Sequence, residues 1–429
     1  MSDPRPRRAA AIAFTPFRLA DLTLRNRIVK TATYEGMVVD GLPSASLLRH
    51  HRDLARGGVA MTTVAYCAVA DDGRTFANQM VMRAAAVPHF RALTDAVHAE
   101  GAAASLQLGH AGGFSKNAAL RFRRAPLGPS FGINAYGIMK GVPFTFAMTR
   151  DEMTATAAQF VAAATLARDA GFDAVELHLG HGYLLSQFMS PRLNRRRDDY
   201  GGSLANRMRF PLAVVSAVRA ALPAGFPVLA KMNVDDGVRG GLGCEDAAAA
   251  AQLLEAAGVT ALVLSGGLVT MSPMFLLRGA TPLREMIEVE ESRLQKLTLR
   301  VVGPRVIRDR PFTPLFFLEP ARRVRAAVRL PLVLVGGVKS LDEIETALGA
   351  GFELVAMGRA LLHDPTLPSR YRSGAATDSG CVPCNVCMTE MDRAGGVCCA
   401  RVPEQLERRA AEVRDRLHLV PCAGDVKSR

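Results

Sequence analysis

Short, almost wholly apolar runs recur along the chain, and helix-length amphipathic segments separate them. The runs are RIVKTAT (27–33), GVAMTTVAY (58–66), AAASLQLGH (102–110), AVELHLG (174–180), FPVLAKMNV (226–234), TALVLSGG (260–267), PLVLVGG (331–337) and LVAMGRA (354–360). Segments such as SASLLRHHRDLARGG, TATAAQFVAAATLARDAG and CEDAAAAAQLLEAAG precede them, with apolar positions at helical spacing. A strand that is apolar on both faces and sits between helices belongs to a parallel sheet covered on both sides. Glycine ends most of the helical segments, as a helix C-cap does. Ala-Gly-Phe (170–172), Ala-Gly-Val (257–259) and Ala-Gly-Phe (350–352) read as three copies of one helix-to-strand turn. Eight such units predict a (β/α)8 TIM barrel, an α/β fold. No G-x-G-x-x-G lies between a strand and a helix, which argues against a dinucleotide-binding Rossmann sheet.

Three parts of the chain depart from the repeat. Residues 1–13 read as a flexible N-terminal arm, without the long apolar stretch of a secretory signal. The barrel is expected over 14–372. Within it, 111–150 and 268–318 are long insertions after the third and sixth strands, on the face where barrels keep their active sites. Residues 373–429 form a Cys-rich segment followed by a C-terminal helix over EQLERRAAEVRDRL. No apolar run is long enough to cross a bilayer, so no membrane partner is expected and the location reads as cytoplasmic.

The net charge is +13, carried mostly by arginine. Its basic residues are scattered and lack interleaved aromatics, so they read as a solvated surface and no nucleic-acid partner is expected. Five of the eight cysteines crowd into 381–399. Without a secretory signal, that crowding speaks for metal, redox or buried-thiol chemistry rather than a disulfide framework.

If the barrel is right, strand ends aim Ala32, Thr33, Tyr34, Gln107, His110, His178, His181, Lys231, Ser265, Gly337, Gly358 and Arg359 into one bowl. Glycines after strands seven and eight suit a phosphate held by backbone N–H groups, with Arg359 adding a charged contact. The bowl is then expected to hold a phosphorylated ligand at one side and Lys, Gln and His at the other. Taken alone, His178 and His181 have metal-ligand spacing and Lys231 suits a Schiff base. No third ligand lies nearby in sequence.

The stretches LTLRNRIVKTAT, LQLGHAGG, ELHLGHGYLLSQFMSPRLNRRRDDYGGSLANRMRF, LVLVGGVKS and VAMGRALLHDPTLP resemble, in order, the Old Yellow Enzyme family of FMN oxidoreductases, the NADH:flavin oxidoreductase / NADH oxidase type. The resemblance covers roughly 14–372. It implies an FMN enzyme using NAD(P)H. Ala32, Thr33, Ala68 and Gln107 would line the isoalloxazine, with Lys231 beside its N1 and O2. Gly337, Gly358 and Arg359 would hold the phosphate. His178 and His181 would hydrogen-bond a substrate carbonyl and Tyr183 would donate a proton. The polar tail through Arg192, Asn194, Arg197, Asp198 and Tyr200 would brace that loop. Two departures stand out: Ala32 where many members have proline, and Tyr34 where a small or thiol side chain is common.

Cys381-x2-Cys384-x2-Cys387 with Cys398 or Cys399 suits a [4Fe–4S] cluster or zinc. The segment resembles that of the 2,4-dienoyl-CoA reductase / trimethylamine dehydrogenase branch, which carries a cluster. The spacing is one residue shorter here, and only about a helix follows where that branch has a large dinucleotide-binding region. Cluster, other metal and reduced structural thiols stay open, with Cys381, Cys384, Cys387 and Cys399 as the candidate ligand set. The expected activity is reduction of an activated alkene of the α,β-unsaturated carbonyl type, or a related small molecule. Two alternatives stand beside it: a dienoyl-CoA-reductase-like enzyme using FMN plus a cluster, and a basic binding protein with a zinc-type module. The substrate, NADH against NADPH and a homo-oligomeric state stay open.

Overall fold

The computed structural model describes residues 11–414. Eight parallel strands close into a barrel: β1 (Ile28–Tyr34), β2 (Met61–Ala68), β3 (Ala103–Gly109), β4 (Ala174–Leu179), β5 (Val228–Asn233), β6 (Ala261–Ser265), β7 (Leu332–Val335) and β8 (Leu354–Met357). Every apolar run read from the sequence is one of these strands, and β8 closes on β1. The register sets Gln107 beside Glu176 and His178 beside Lys231 on adjacent strands.

Helices α1 (Ala45–Arg56), α2 (Val87–His98), α3 (Arg150–Asp169), α4 (Leu204–Ala221), α5 (Cys244–Ala256), α6 (Leu318–Ala327), α7 (Leu341–Gly349) and α8 (Leu367–Ser373) follow the strands in turn. Their starts are coded locally. Thr149 and Ser340 close capping boxes with Glu152 and Glu343, and the Ser44 and Ser203 hydroxyls accept the N–H groups of Leu47 and Asn206. The three Ala-Gly-aromatic/aliphatic turns share one backbone: Gly171, Gly258 and Gly351 have φ of +87°, +85° and +90°. A Cβ there would be strained by about 1–2 kcal/mol, so glycine is required where each helix turns back into a strand.

The core has two parts. One lies between barrel and helices. The other fills the lower barrel, where Val29, Met61, Leu229, Val263 and Leu354 meet Leu19 and Leu24. Those two leucines come from an antiparallel hairpin, Phe17–Leu19 with Leu22–Leu24, that plugs the barrel floor. Its strands are too short to give a periodic signal in the sequence.

The last residues of the expected N-terminal arm are docked on the barrel. Residues 1–10 lie outside the described residues, but Ile12–Phe14 form a docked turn, with Ala13 buried and its N–H donated to Glu345 at 2.8 Å. The first insertion folds into single turns and a small three-stranded sheet. The second carries the helices Pro273–Leu277, Leu283–Val289, Arg293–Val301 and Gly303–Val306. The Cys-rich segment lies across the C-terminal face: Val397 N–H reaches Glu35 O at 2.7 Å and Ser379 N–H reaches Lys339 O at 2.9 Å. The last described helix, α9 (Pro403–Arg414), pairs Glu412 with Arg49 at 2.7 Å. The expected helix continues to 417, and its final residues, like Cys422, lie outside the described residues. No helix among the described residues is long and apolar enough to cross a membrane.

The plug makes a prediction. Leu24→Ala empties a site that is 1% exposed and should cost about 2–5 kcal/mol in stability. Urea unfolding would show the midpoint falling. An unchanged midpoint would mean the hairpin is not part of the core.

Candidate active site

A cavity of about 410 Å³ opens at the C-terminal end of the barrel, within the size range of small-molecule sites. Of the expected residues, Ala32, Thr33, Gln107, Lys231, Gly337, Gly358, Arg359, His178, His181 and Tyr183 all line it. Ala68 does not. It is fully buried in a cluster with Ala65, Tyr66 and Val81, against which Ala32 and Tyr183 pack; Ala65 and Tyr66 line the cavity from the same strand. His110 also stays out: its Nδ1 accepts Gly112 N–H at 3.0 Å and its Nε2 lies 3.8 Å from Asp72.

At the barrel centre stands Lys231, 1% exposed. Its ammonium donates to Thr31 Oγ1 at 3.0 Å and lies 3.4 Å from Glu176 Oε1. Burial draws its pKa down, and Glu176 opposes that. Gln107 Nε2 donates to the same carboxylate oxygen at 2.6 Å. Glu176 therefore orients both groups. Its signal in the sequence is a carboxylate in the middle of an apolar strand, where burial of a charge calls for a partner.

His178 and His181 meet edge to face with ring centroids 5.0 Å apart. His178 Nδ1 accepts Gly180 N–H at 3.4 Å, which leaves the proton on Nε2. His181 has φ of +60°, a conformation that a non-glycine residue holds only at a cost of about 1–3 kcal/mol. Three contacts hold it there. Its N–H donates to Asn233 Oδ1 at 2.9 Å, its carbonyl accepts Val269 N–H at 3.0 Å, and its Nε2 lies 2.8 Å from Ser265 Oγ. Asn233 is itself fixed by donating to Asp236 at 2.8 Å and to Gly267 O at 3.0 Å. Asn233 is a positioning residue that the sequence alone did not single out. Burial keeps both histidines neutral: His178 is held well below the usual imidazole range and His181 is pulled down to about 3.

Tyr183 lies 4.2 Å from His178, ring to ring, boxed by the edges of Tyr66 at 4.8 Å and Phe114 at 5.0 Å. Burial raises its phenol well above the ordinary value, so it keeps its proton. Tyr34 stacks on Phe76 at 5.3 Å and forms part of the mouth. The polar tail beyond Tyr183 is a brace, but carried by other arginines than those expected. Asn194 donates to Phe188 O and Tyr200 O, Arg196 clamps Asp198 and the carbonyls of Pro129 and Met148, and Arg207 donates to Met189 O.

The glycines expected to hold a phosphate line the same cavity as Arg359. Gly337 has φ of +77°, and a Cβ on it would lie 2.6 Å from Leu315 N. A Cβ on Gly358 would lie 3.3 Å from Thr31 Cγ2. Arg359 reaches over both, donating to Arg278 O at 3.0 Å and to Asn385 Oδ1. The buried cation, the amide of Gln107 and this backbone cradle fit the ring and the phosphate of FMN.

Sequence comparison agrees with this geometry. A profile of the NADH:flavin oxidoreductase / NADH oxidase family matches residues 13–275. The chain belongs to that family. It is therefore an FMN-dependent NAD(P)H oxidoreductase of Old Yellow Enzyme type, and the reading as a basic zinc-type binding module falls away. It is 46% identical over 378 residues to the 4,4'-dithiodibutanoate disulfide reductase of Rhodococcus erythropolis, covering 87% of this chain and 92% of that protein. It is 31% identical over 384 residues to the NADH oxidase of Thermoanaerobacter brockii, covering 87% of this chain but 52% of that longer protein. The Old Yellow Enzyme homologue of Zymomonas mobilis superposes with a TM-score of 0.63 at 21% identity, over 85% of this chain and 93% of that one, a likeness of fold.

A second, smaller cavity of about 20 Å³ adjoins the first. Cys381, Cys384, Cys387 and Cys399 line it together, with Arg359 common to both walls. Cys398 is buried elsewhere, toward Glu390 and Arg409. The seven cysteines among the described residues are free thiols. Burial pushes Cys381 up to about 11 and Cys387 up to about 12, and Arg359 opposes the shift in both. Among the described residues no three Cys, His, Asp or Glu side chains converge on a single ion.

The buried histidines set a pH dependence. His181 titrates near 3 in the fold against an ordinary 6.5, so the unfolded chain takes up a proton that the native state refuses. Its contribution is present above about pH 6.5 and is lost as pH falls toward 3, with a slope approaching about 1.4 kcal/mol per pH unit. His181→Asn should remove one such proton. Urea midpoints between pH 5 and 6 should slope less steeply in the variant; equal slopes would place His181 in water.

Proposed function

We propose that the enzyme reduces an alkene conjugated to a carbonyl, with His178 and His181 binding the carbonyl oxygen and Tyr183 supplying the proton. The observation that carries this is the pair of neutral imidazoles beside a protonated phenol, all on the wall of the flavin cavity. His178 offers Nε2–H. His181 offers Nδ1–H when Ser265 donates its hydroxyl to Nε2. Two such donors draw electron density from the alkene through its carbonyl and prepare the β-carbon for attack. FMN, when bound, supplies hydride transfer from NAD(P)H to this acceptor. Lys231 holds a positive charge where the reduced ring becomes negative, and Glu176 keeps that ammonium charged. Tyr183 keeps its proton until the α-carbon develops negative charge. Phe114, Tyr66 and Tyr34 exclude water from the reacting face.

A second acceptor is favoured by the relative of 46% identity: a dialkyl disulfide. Two electrons from reduced FMN and two protons would convert one disulfide into two thiols, with the same imidazoles hydrogen-bonding the departing sulfur. The four thiols of the smaller cavity suit a [4Fe–4S] cluster. Zinc needs thiolates about 2.3 Å from one ion, and these thiols surround a cavity instead of converging. Cys381, Cys384, Cys387 and Cys399 would hold the cluster, which would supply one-electron transfer.

Two experiments test this. In Tyr183→Phe, stopped-flow measurement should show flavin reduction by NAD(P)H within about twofold of wild type and enone reduction slowed by about 10²–10⁴-fold. An unchanged enone step would place the proton donor elsewhere; a disulfide turned over faster than any enone would select the second acceptor. For the thiols, protein purified without oxygen should contain iron and acid-labile sulfide, both lost in Cys384→Ser. Protein without iron would make the segment a set of reduced structural thiols.

A further inference from the structure

The long insertion after β6 carries two arginines whose charges nothing in the described structure neutralises. Residues 278–281 run antiparallel to 309–310: Gly279 N–H donates to Arg310 O at 2.7 Å and Thr281 N–H donates to Asp309 at 2.7 Å. The Cys-rich segment locks this corner from behind, since Pro383 O accepts Ala280 N–H at 3.0 Å and Asn385 donates to Ala280 O at 2.9 Å. The result is two guanidiniums on one aromatic ring. Arg278 lies 5.4 Å and Arg310 4.4 Å from the centroid of Phe275. Arg278 also lies 4.6 Å over Phe316, which lines the flavin cavity.

Like charges set side by side destabilise a fold unless something between them compensates. Asp309, the nearest acid in sequence, already accepts Thr281 N–H. Among the described residues neither arginine takes part in an ion pair within 4.0 Å, whereas Arg284 of the same insertion pairs with Glu288 at 3.1 Å. Burial and Arg310 both pull the pKa of Arg278 down. Two polar atoms of the same segment, Arg278 Nε and Thr281 Oγ1, are buried without a hydrogen-bond partner. A desolvated guanidinium N–H without a partner, next to a second unpaired guanidinium, is an arrangement that an anion would satisfy.

The place of the pair narrows the ligand. Arg278 directly follows Leu277, which forms the cavity wall, and its backbone carbonyl holds Arg359 of the phosphate cradle. A molecule that delivers a dihydronicotinamide to the flavin must leave the remainder of its length outside the cavity, across this rim. Two guanidiniums match the charge and the multiple acceptors of a phosphoryl group better than those of a single carboxylate. We propose that Arg278 and Arg310 bind a phosphoryl group of the nicotinamide dinucleotide that reduces the enzyme. The proposal rests on the NAD(P)H half-reaction and is independent of which acceptor is reduced.

The test uses the FMN-loaded full chain in anaerobic stopped flow. NADPH, NADH and 1-benzyl-1,4-dihydronicotinamide, a hydride donor with no phosphate, each reduce wild type, Arg310→Met and Arg278→Met. Both variants should raise the apparent Kd for NADPH or NADH by about tenfold or more, as loss of a charged hydrogen bond does, and leave the benzyl donor unchanged. The ratio of NADPH to NADH effects tells which phosphoryl group is held. Equal loss with all three donors, or no change with any, overturns the proposal. So does a loss of FMN affinity with donor binding intact, which would assign the pair to the flavin phosphate. A rise in KM for an acidic acceptor but not for its methyl ester, with NAD(P)H unaffected, would assign it to a substrate carboxylate and also overturn it. Arg310 is exposed, so Arg310→Met keeps the test decisive if Arg278→Met fails to fold.

Discussion

A lysine ammonium buried at the centre of a parallel barrel is the constraint from which the rest follows. Lys231 cannot stay charged there without help, since moving an isolated ammonium out of water costs several kcal/mol. Glu176 supplies the opposite charge from the neighbouring strand and Thr31 a hydroxyl from across the barrel. The register of β3, β4 and β5 makes this meeting obligatory, because it sets Gln107, Glu176, His178 and Lys231 on three adjacent strands. A fixed cation in a dry site interacts strongly with any negative charge that develops beside it. That is the service a reduced flavin needs.

The strand ends then hold what the interior cannot. His181 sits in a left-handed conformation between three strands' loops, pinned by Asn233, Ser265 and Val269. Strain of this kind persists where the surroundings over-determine it, and it fixes the ring's direction. The same ends are covered by the two long insertions and the Cys-rich segment, so one surface gathers the acceptor donors, the phosphate cradle and the thiols. Arg359 belongs to two cavities at once, and the thiol segment thereby borders the end of the cavity proposed to hold the phosphate.

The barrel was legible because each strand is a continuous apolar run and each helix has its own cap and glycine stop. The site was legible because eight strands of one direction bring their last residues to one face. Other features were not. The floor hairpin is too short to show a period. Glu176 and Asn233 act through partners far away in sequence, at Lys231, Gln107 and His181, and only the fold supplies those pairings. Ala68 lies on the expected strand and packs with the cavity-lining Ala65 and Tyr66, but is not itself among the lining residues. The brace passed from Arg192 and Arg197 to Arg196 and Arg207, since in so arginine-rich a loop residue type does not distinguish which side chain points inward. The insertions have no repeat to read, and the Arg278–Arg310 corner lies within one of them.

The most direct test of the account is the visible spectrum of the purified protein, recorded without oxygen and titrated with NADPH and then NADH. Two flavin bands that bleach on titration, restored by FMN if lost in purification and weakened in Lys231→Met, are the predicted result. A colourless protein that takes up no FMN would contradict the assignment of Lys231, Gln107 and the Gly337–Gly358 cradle to a flavin.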